Sequence, residues 1–134
     1  MVNLQMVRNS FNEIHSSVKL EKGSKVNLQS TTNFSVRMSG DNKRCLAIIT
    51  QNVFCPENPE QFEINLCGEA EYVCEGIESD DEKKEAHLLA QTMFFPYVQN
   101  MVRDLSINAG LNPLIIECPI MGKDEVKLEG KEVK

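Results

Sequence analysis

Residues 62–110 have the sequence FEINLCGEAEYVCEGIESDDEKKEAHLLAQTMFFPYVQNMVRDLSINAG, and the spacing of the apolar residues changes once along it. From Phe62 to Glu75, apolar and small residues occupy the even positions, whereas the odd positions include four glutamates. Such alternation is typical of a strand with one face on a core and the other in water. From residue 80 onward, apolar residues recur every three or four positions, the period of an amphipathic helix. The stretch therefore predicts a long strand followed by a long helix.

Local signals place both ends of this helix. Ser79-Asp80-Asp81-Glu82 matches a capping box, in which a serine and a glutamate three residues later satisfy free backbone N–H groups. Gly110 suits the left-handed residue that ends many helices. We therefore predict a helix over residues 80–109. Pro96 lies inside it and removes one backbone hydrogen bond, which predicts a kink.

Two apolar stripes follow the predicted helix at four-residue spacing. One stripe consists of Leu89, Met93, Tyr97, Met101 and Leu105, and the other consists of Phe94, Val98 and Val102. An apolar arc this wide exceeds what a helix resting on a sheet needs. We therefore expect the second stripe to contact another subunit, a further element or a client polypeptide.

The part of the chain before residue 62 has the pattern of strands. Residues 33–38 alternate in polarity and 45–49 form an apolar run, so the turn residues Gly40-Asp41-Asn42 between them predict a hairpin. Pro56 and Pro59 exclude a central strand and predict a loop. Gly68, inside the clearest strand, indicates a bulge or a close approach by another group.

Composition excludes several classes of function. The chain has 134 residues, of which 41% are hydrophobic, and a formal net charge of −6. An acidic protein is a poor ligand for nucleic acid or anionic membranes. No stretch approaches the ~20 apolar residues of a membrane span, and the N-terminus lacks the apolar core of a signal peptide. We predict a cytoplasmic protein that contacts neither nucleic acid nor membrane.

We predict one domain over residues 1–122 and a flexible tail over residues 123–134. The tail carries four lysines and four acidic residues, so its charges cancel. Segments at a chain end that are rich in charge but neutral overall are commonly mobile.

Signals for catalysis are weak. The five cysteines form no C-x-x-C pair and only two histidines are present, so we predict no metal site and no cofactor. No nucleophile elbow or phosphate-binding glycine loop occurs. His87 near Cys74 or Glu85 suggests a dyad, but we favour a surface histidine on an amphipathic helix. We therefore predict no catalytic residues and no enzyme activity.

FFPYVQNMVRDL (94–105) resembles the signature of the SecB family of protein-export chaperones, in which a long helix carries a Phe-Pro-Tyr sequence after an apolar residue. LQMVRNSFNEI (4–14) resembles the first strand of that family. NPLIIECPI (112–120) is similar to the extended segment that follows the helix. The resemblance covers nearly the whole chain in the same order.

This resemblance implies an α+β fold, in which an antiparallel four-stranded sheet packs against one long kinked helix. It also implies a homo-oligomer, either a dimer or a tetramer built as a dimer of dimers. The implied function is an ATP-independent holdase that binds unfolded preproteins and hands them over to SecA. The client-binding residues would then be Phe94, Phe95, Val98, Met101 and Val102. The candidate SecA contacts are Glu13, by its place in the family pattern, and the glutamates Glu63, Glu69, Glu71 and Glu75.

One departure from the family keeps other functions open. The second, C-terminal helix of the family is missing here, because the chain runs from Gly122 into the charged tail. Divergent SecB-like proteins also serve as dedicated chaperones of one antitoxin in toxin–antitoxin systems, and that is our first alternative. The others are a small-ligand-binding, hot-dog-like protein and a purely structural oligomer whose apolar helix faces are used in assembly.

Overall fold

The computed structural model describes residues 1–19, 27–119 and 122–126. Its elements in chain order are the strands β1 (Asn3–Val18), β2 (Gln29–Met38), β3 (Arg44–Phe54) and β4 (Phe62–Glu75), the helix α1 (Asp80–Asn108) and a 3-10 turn (Lys123–Glu125). The four strands form one sheet in the order β1-β4-β3-β2, and every neighbouring pair is antiparallel. The α+β fold with one long helix is therefore confirmed.

The predicted hairpin is formed by β2 and β3. Met38 pairs with Cys45, and the turn between them contains Asn42 at a φ of 59°. Asparagine tolerates this left-handed conformation better than most residues. The loop that carries Pro56 and Pro59 separates β3 from β4, as predicted.

Gly68 marks a close approach, as its place in the strand suggested. A Cβ atom at this position would lie 2.8 Å from the ring of Phe11, which stands on the neighbouring strand β1. The ring centroids of Phe11 and Phe94 are 6.1 Å apart. The Phe11 ring therefore fills the space between the glycine and the helix.

Both predicted ends of α1 are confirmed. The Ser79 side chain accepts a hydrogen bond from the backbone N–H of Glu82. At the other end, the Gly110 N–H donates to the Ile107 carbonyl and the Leu111 N–H donates to the Ser106 carbonyl. These two bonds, with Gly110 at a φ of +84°, form a Schellman motif.

The helix continues through Pro96 without interruption. Proline at this position leaves the carbonyl of Thr92 without its usual helical donor. Thr92 and Pro96 are both exposed, so that carbonyl lies on the side of the helix that water reaches. Solvent therefore offsets the cost of the proline.

The second apolar stripe packs on the sheet of its own chain, so the expectation that it needs a partner is wrong. Phe94, Val98 and Val102 are fully buried. The centre of the sheet carries small residues on its core face, including Ala47 and Ala70. These leave room above the sheet, which the bulky side chains of α1 occupy.

After Gly110, residues 111–119 form no helix or strand, and the 3-10 turn is the next element of the described chain. The Lys123 ammonium pairs with the Asp81 carboxylate at 3.0 Å, so the start of the predicted tail lies near the beginning of α1. Residues 127–134 of that tail, and Ile120 at the end of the extended segment, lie outside the described residues. No helix among the described residues is long and apolar enough to span a membrane.

Candidate functional site: a groove beside the edge strand

The chain that follows α1 is held on the helix by hydrogen bonds from polar side chains. Ser106 is fully buried, and its hydroxyl accepts the backbone N–H of Leu114 at 3.0 Å. The same hydroxyl donates to the Arg103 carbonyl at 2.7 Å. One buried serine thus joins the end of the helix to the returning chain.

Two glutamines continue this attachment toward the start of α1. Gln99 Nε2 donates to the Ile116 carbonyl at 2.8 Å, and Gln91 Nε2 donates to the Pro119 carbonyl at 3.4 Å. Going backward along α1, residues 106, 99 and 91 thus form hydrogen bonds with residues 114, 116 and 119, respectively. We call residues 114–119 the return segment, because this order makes them run antiparallel to α1.

A groove of about 650 Å³ separates the return segment from the first half of β2. Its walls are residues 28–32 on one side and 114–117 with Pro119 on the other, and Val53 also contributes to its lining. This volume lies within the ~300–1,000 Å³ of typical ligand pockets. The groove is therefore large enough to hold several residues of a peptide.

The side of β2 that faces away from β3 has unpaired backbone groups. The Ser39 N–H donates to the Arg44 carbonyl. Hydrogen-bonded pairs alternate along an antiparallel register, so the odd-numbered residues of β2 direct their backbone N–H and C=O groups toward β3 and the even-numbered residues direct theirs away. Ser30, Thr32 and Phe34 therefore present N–H and C=O groups at the free edge. Within residues 27–38 and 111–119, no backbone hydrogen bond joins β2 to the return segment.

The two edges of the sheet differ in regularity. β1 pairs with β4 with register shifts between Met6 and Arg8 and between Phe11 and Glu13. Bulges of this kind twist an edge and discourage the addition of a further strand. β2 keeps an unbroken register with β3 from Gln29 to Met38. The edge beside the groove is therefore the more regular template for another strand.

A buried glutamine stiffens the groove wall. Gln51 on β3 has no exposed surface, and its side-chain amide bonds the hydroxyls of Ser30 and Thr32 at 2.5 Å each. These bonds satisfy polar groups that would be costly to bury unpaired. They also fix two of the residues whose backbone groups face the groove.

The groove combines backbone and apolar contacts. Ile115 projects from the return segment with 82% of its surface exposed, while Ile116 beside it is buried. Glu117 is the charged residue in the groove lining. A free strand edge opposite an exposed apolar side chain is suited to an extended polypeptide, which supplies both kinds of contact.

The structure places four of the five predicted client-binding residues in the core. Phe94, Phe95, Val98 and Val102 lie between α1 and the sheet with at most 1% of their surface exposed. Met101 is partly exposed on the outer side. Direct contact between the four buried residues and a client stays a prediction, and it requires α1 to lift from the sheet.

The predicted acidic surface is divided by ion pairs. The Glu71 carboxylate binds Arg8 at 2.9 Å and Arg44 at 3.1 Å, and Glu69 pairs with Arg8 at 3.4 Å. Glu13 and Glu75 are exposed on β1 and β4. The side chain of the fifth candidate, Glu63, accepts a hydrogen bond from Asn65 at 2.7 Å. The candidate SecA contacts therefore form a mixed surface and not a continuous acidic one.

His87 is buried, which corrects the expectation of a surface histidine. Its ring packs edge-on against Phe34 with the centroids 5.1 Å apart. Burial lowers the pKa of His87, because the charged imidazolium loses its hydration. The helix turn that carries His87 faces the sheet, and this orientation buries the ring.

No cysteine belongs to the groove lining. A hydrogen bond with Cys74 and burial raise the pKa of the Cys45 thiol, so this thiol stays protonated and is a weak nucleophile. Both side chains are almost completely buried. In the described parts of the chain, no group of three or more His, Cys, Asp or Glu side chains could hold a metal ion.

Comparison with known proteins identifies this fold. No family model and no curated protein matches the sequence. Among solved structures, the SecB-like chaperone Rv1957 of Mycobacterium tuberculosis, in complex with a ChAD peptide from the Rv1956 HigA1 antitoxin, matches with a TM-score of 0.69. The match has 14% sequence identity and covers 85% of this chain and 89% of that chain. The SecB-like fold inferred from the Phe-Pro-Tyr signature is therefore confirmed.

A second solved structure shares the architecture. It is a protein of unknown function from Streptococcus agalactiae, with a TM-score of 0.56 and 9% identity. The match covers 87% of this chain and 98% of that chain. The likeness to both proteins is one of fold, since so few residues are identical.

Proposed function

We propose that this protein is an ATP-independent chaperone that binds an extended, non-native polypeptide segment in the groove between β2 and the return segment. The observation that carries this proposal is the free edge of β2 opposite the exposed Ile115 across about 650 Å³ of space. It is supported by the similar fold of a SecB-like chaperone that was solved with a bound peptide.

The expected binding energy comes from two sources. Apolar client side chains that cover Ile115 and its neighbours contribute about 25 cal/mol for each Å² removed from water. Backbone groups of the client pair with those of Ser30 and Thr32, as in the addition of a strand to a sheet edge. Neither source needs nucleotide hydrolysis, so the protein holds its client passively.

We propose one antitoxin as the favoured client. The similar Rv1957 chaperone is bound to a peptide from an antitoxin. Delivery of preproteins to SecA is the second candidate function, and the exposed Glu13 and Glu75 support it. The ion pairs of Glu69 and Glu71 with arginines count against it, because they neutralise the middle of the acidic stripe.

We also propose that copies of this chain associate in the cytoplasm through the outer side of α1. Tyr97 is 45% exposed there, and Met93 and Met101 lie partly exposed one turn away on either side. An apolar stripe at four-residue spacing suits packing against the same stripe of a second copy. Light-scattering mass in solution tests this proposal, and a dimer or tetramer is the expected result.

The five predicted client-binding residues have a place in this proposal. Phe94, Phe95, Val98 and Val102 act from the core, where they hold α1 and thereby the return segment in position. Met101 contributes to the surface between copies. Polar substitution of a core residue is then expected to abolish folding and client binding together.

The direct test is suppression of client aggregation without nucleotide. We expect the wild-type protein to suppress aggregation of a thermally unfolding client, and Ile115→Ser to reduce this effect at least fivefold. Ile107→Ser is the matched control, since Ile107 is also exposed but lies at the end of α1. Loss of activity in both variants or in neither would contradict the groove assignment.

A further inference from the structure

The face of the sheet opposite α1 contains a pocket of about 380 Å³, which we call the arginine pocket. Its lining residues are Arg8, Arg37, Met38, Ser39, Arg44, Cys45, Leu46 and Glu71. The chain has four arginines in total, and three of them lie in this pocket. The client groove described above shares no lining residue with it.

Strand register explains why the arginines converge. Arg37 is opposite Leu46, Leu46 is opposite Glu71, and Glu71 is opposite Arg8, so one row of cross-strand neighbours spans all four strands. Directly opposite residues share a face of the sheet. Arg44 lies two positions before Leu46 and therefore on the same face.

This face is the one that α1 leaves uncovered. The residues next to Leu46 and Glu71 along their strands, Ala47 and Tyr72, are fully buried under the helix. Leu46 and Glu71 themselves are only partly buried. The arginine pocket is thus open to a partner in the folded protein.

The pocket gathers positive groups in an acidic protein. Its lining includes three guanidinium groups and one carboxylate, and Glu69 pairs with Arg8 from outside the lining, whereas the whole chain has a net charge of −6. Glu71 shares its two oxygens between Arg8 and Arg44, at 2.9 Å and 3.1 Å. The Arg8 and Arg44 side chains are 49% and 67% exposed.

Arg8 and Arg44 retain donors for a ligand. A guanidinium has five N–H donors; the contacts with Glu69 and Glu71 use Nε and one Nη of Arg8 and one Nη of Arg44. Glu71 sits between the two groups and holds them side by side. Guanidinium groups in this arrangement are suited to forked hydrogen bonds with a carboxylate.

We propose that the arginine pocket binds a carboxylate-bearing segment of a partner polypeptide, with an acidic side chain on the guanidinium groups and a neighbouring apolar side chain on Leu46. The apolar part of the lining favours a peptide over a nucleic acid. A net charge of −6 also repels a long polyanion. The inference does not depend on the chaperone function.

The test uses a fluorescein-labelled octapeptide of alternating glutamate and leucine, measured by fluorescence anisotropy against the full chain. The same peptide with glutamine in place of glutamate is the ligand control. We expect Arg44→Gln to weaken binding of the acidic peptide at least tenfold and Arg44→Lys to weaken it by a smaller factor. Arg103→Gln is the matched protein control, because Arg103 is exposed on α1 outside the pocket.

Each outcome decides the proposal. Binding that falls with added salt, needs the glutamates and is lost in Arg44→Gln but not in Arg103→Gln supports it. No binding by the wild-type protein, equal binding of the glutamine peptide, or equal loss in both variants overturns it. If a single-stranded oligonucleotide binds more tightly than the acidic peptide and this binding also depends on Arg44, the proposal is overturned, since the pocket would then be a phosphate-binding site. Suppression of client aggregation by Arg44→Gln is expected to match the wild type, which separates this test from that of the groove.

Discussion

The Gln99 side chain donates a 2.8 Å hydrogen bond to the carbonyl of Ile116 and so ties the middle of α1 to the middle of the return segment. Ile116 is buried, and its neighbour Ile115 is exposed in the groove lining. The position of the groove wall therefore depends on polar side chains of the helix. Substitutions of Gln91, Gln99 or Ser106, which attach the return segment to α1, are expected to affect stability and client binding together.

Ser106→Ala tests the hydrogen bond that attaches the start of the return segment to the end of α1. The substitution leaves the N–H of the half-buried Leu114 without the hydroxyl of the fully buried Ser106, which costs about 1–3 kcal/mol. We expect a loss of this size in the free energy of unfolding, measured with urea, and weaker client binding. Thr92→Ala is the control, since the exposed Thr92 hydroxyl bonds only a carbonyl of its own helix, and it should change stability by less than about 0.5 kcal/mol. Equal effects of the two substitutions would contradict the proposed attachment.

Gly68→Ala tests the contact between β4 and the Phe11 ring. The new methyl group would lie 2.8 Å from that ring, so the ring must shift against Phe94. We expect destabilisation of about 1–3 kcal/mol, as for other overpacked cores. Gly40→Ala is the matched control, because no atom lies within 4 Å of the position that its methyl group would occupy. A Gly68→Ala protein as stable as the wild type would refute the close approach.

His87 predicts how stability depends on pH. Burial lowers the pKa of His87 below 6.5 in the folded protein, whereas the unfolded chain keeps the ordinary value. The unfolded state therefore binds the extra proton first as the pH falls below 6.5, and the free energy of unfolding decreases by up to about 1.4 kcal/mol per pH unit. Above that pH both states are neutral at this residue and its contribution is constant.

Urea unfolding of the wild-type protein between pH 8 and pH 5.5 measures this dependence. We expect His87→Phe to remove most of the decrease and His15→Asn, on the exposed part of β1, to retain it. A decrease that persists unchanged in His87→Phe would assign the titration to another group.

Glu13→Lys tests the second candidate function. Glu13 is exposed, whereas the charge of Glu71 is engaged by two arginines. If the protein delivers clients to SecA, we expect Glu13→Lys to weaken SecA binding about tenfold and Glu71→Gln to change it less than twofold. Binding is measured by calorimetry with both variants and the wild type. Failure of the wild-type protein to bind SecA would contradict delivery to the export machinery and leave the antitoxin as the favoured client.

Much of the fold follows from local patterns in the sequence. The alternation from Phe62 to Glu75, the Ser79 cap and Gly110 predicted the strand and both ends of the helix. These signals depend on residues close in sequence, so no knowledge of tertiary contacts was needed. The Phe-Pro-Tyr signature at 95–97 then indicated which α+β fold these elements form.

The groove and the arginine pocket could not be predicted in the same way. Arg8, Arg37 and Arg44 belong to three different strands, and only the register across four strands brings them together. The second apolar stripe was misassigned because periodicity shows the width of an apolar arc but not what covers it. Gln91, Gln99 and Ser106 did leave a signal, since they are polar residues spaced about two turns apart on one side of the helix.

The central claim is that an extended client pairs with the free edge of β2, and amide hydrogen exchange measured by NMR tests it most directly. With a bound client peptide, we predict slower exchange at Ser30, Thr32 and Phe34, whose N–H groups face the groove edge. Exchange at Thr31 and Asn33, which already pair with β3, should change little. If the peptide binds and slows exchange elsewhere in the protein but leaves exchange at Ser30, Thr32 and Phe34 unchanged, the account is contradicted.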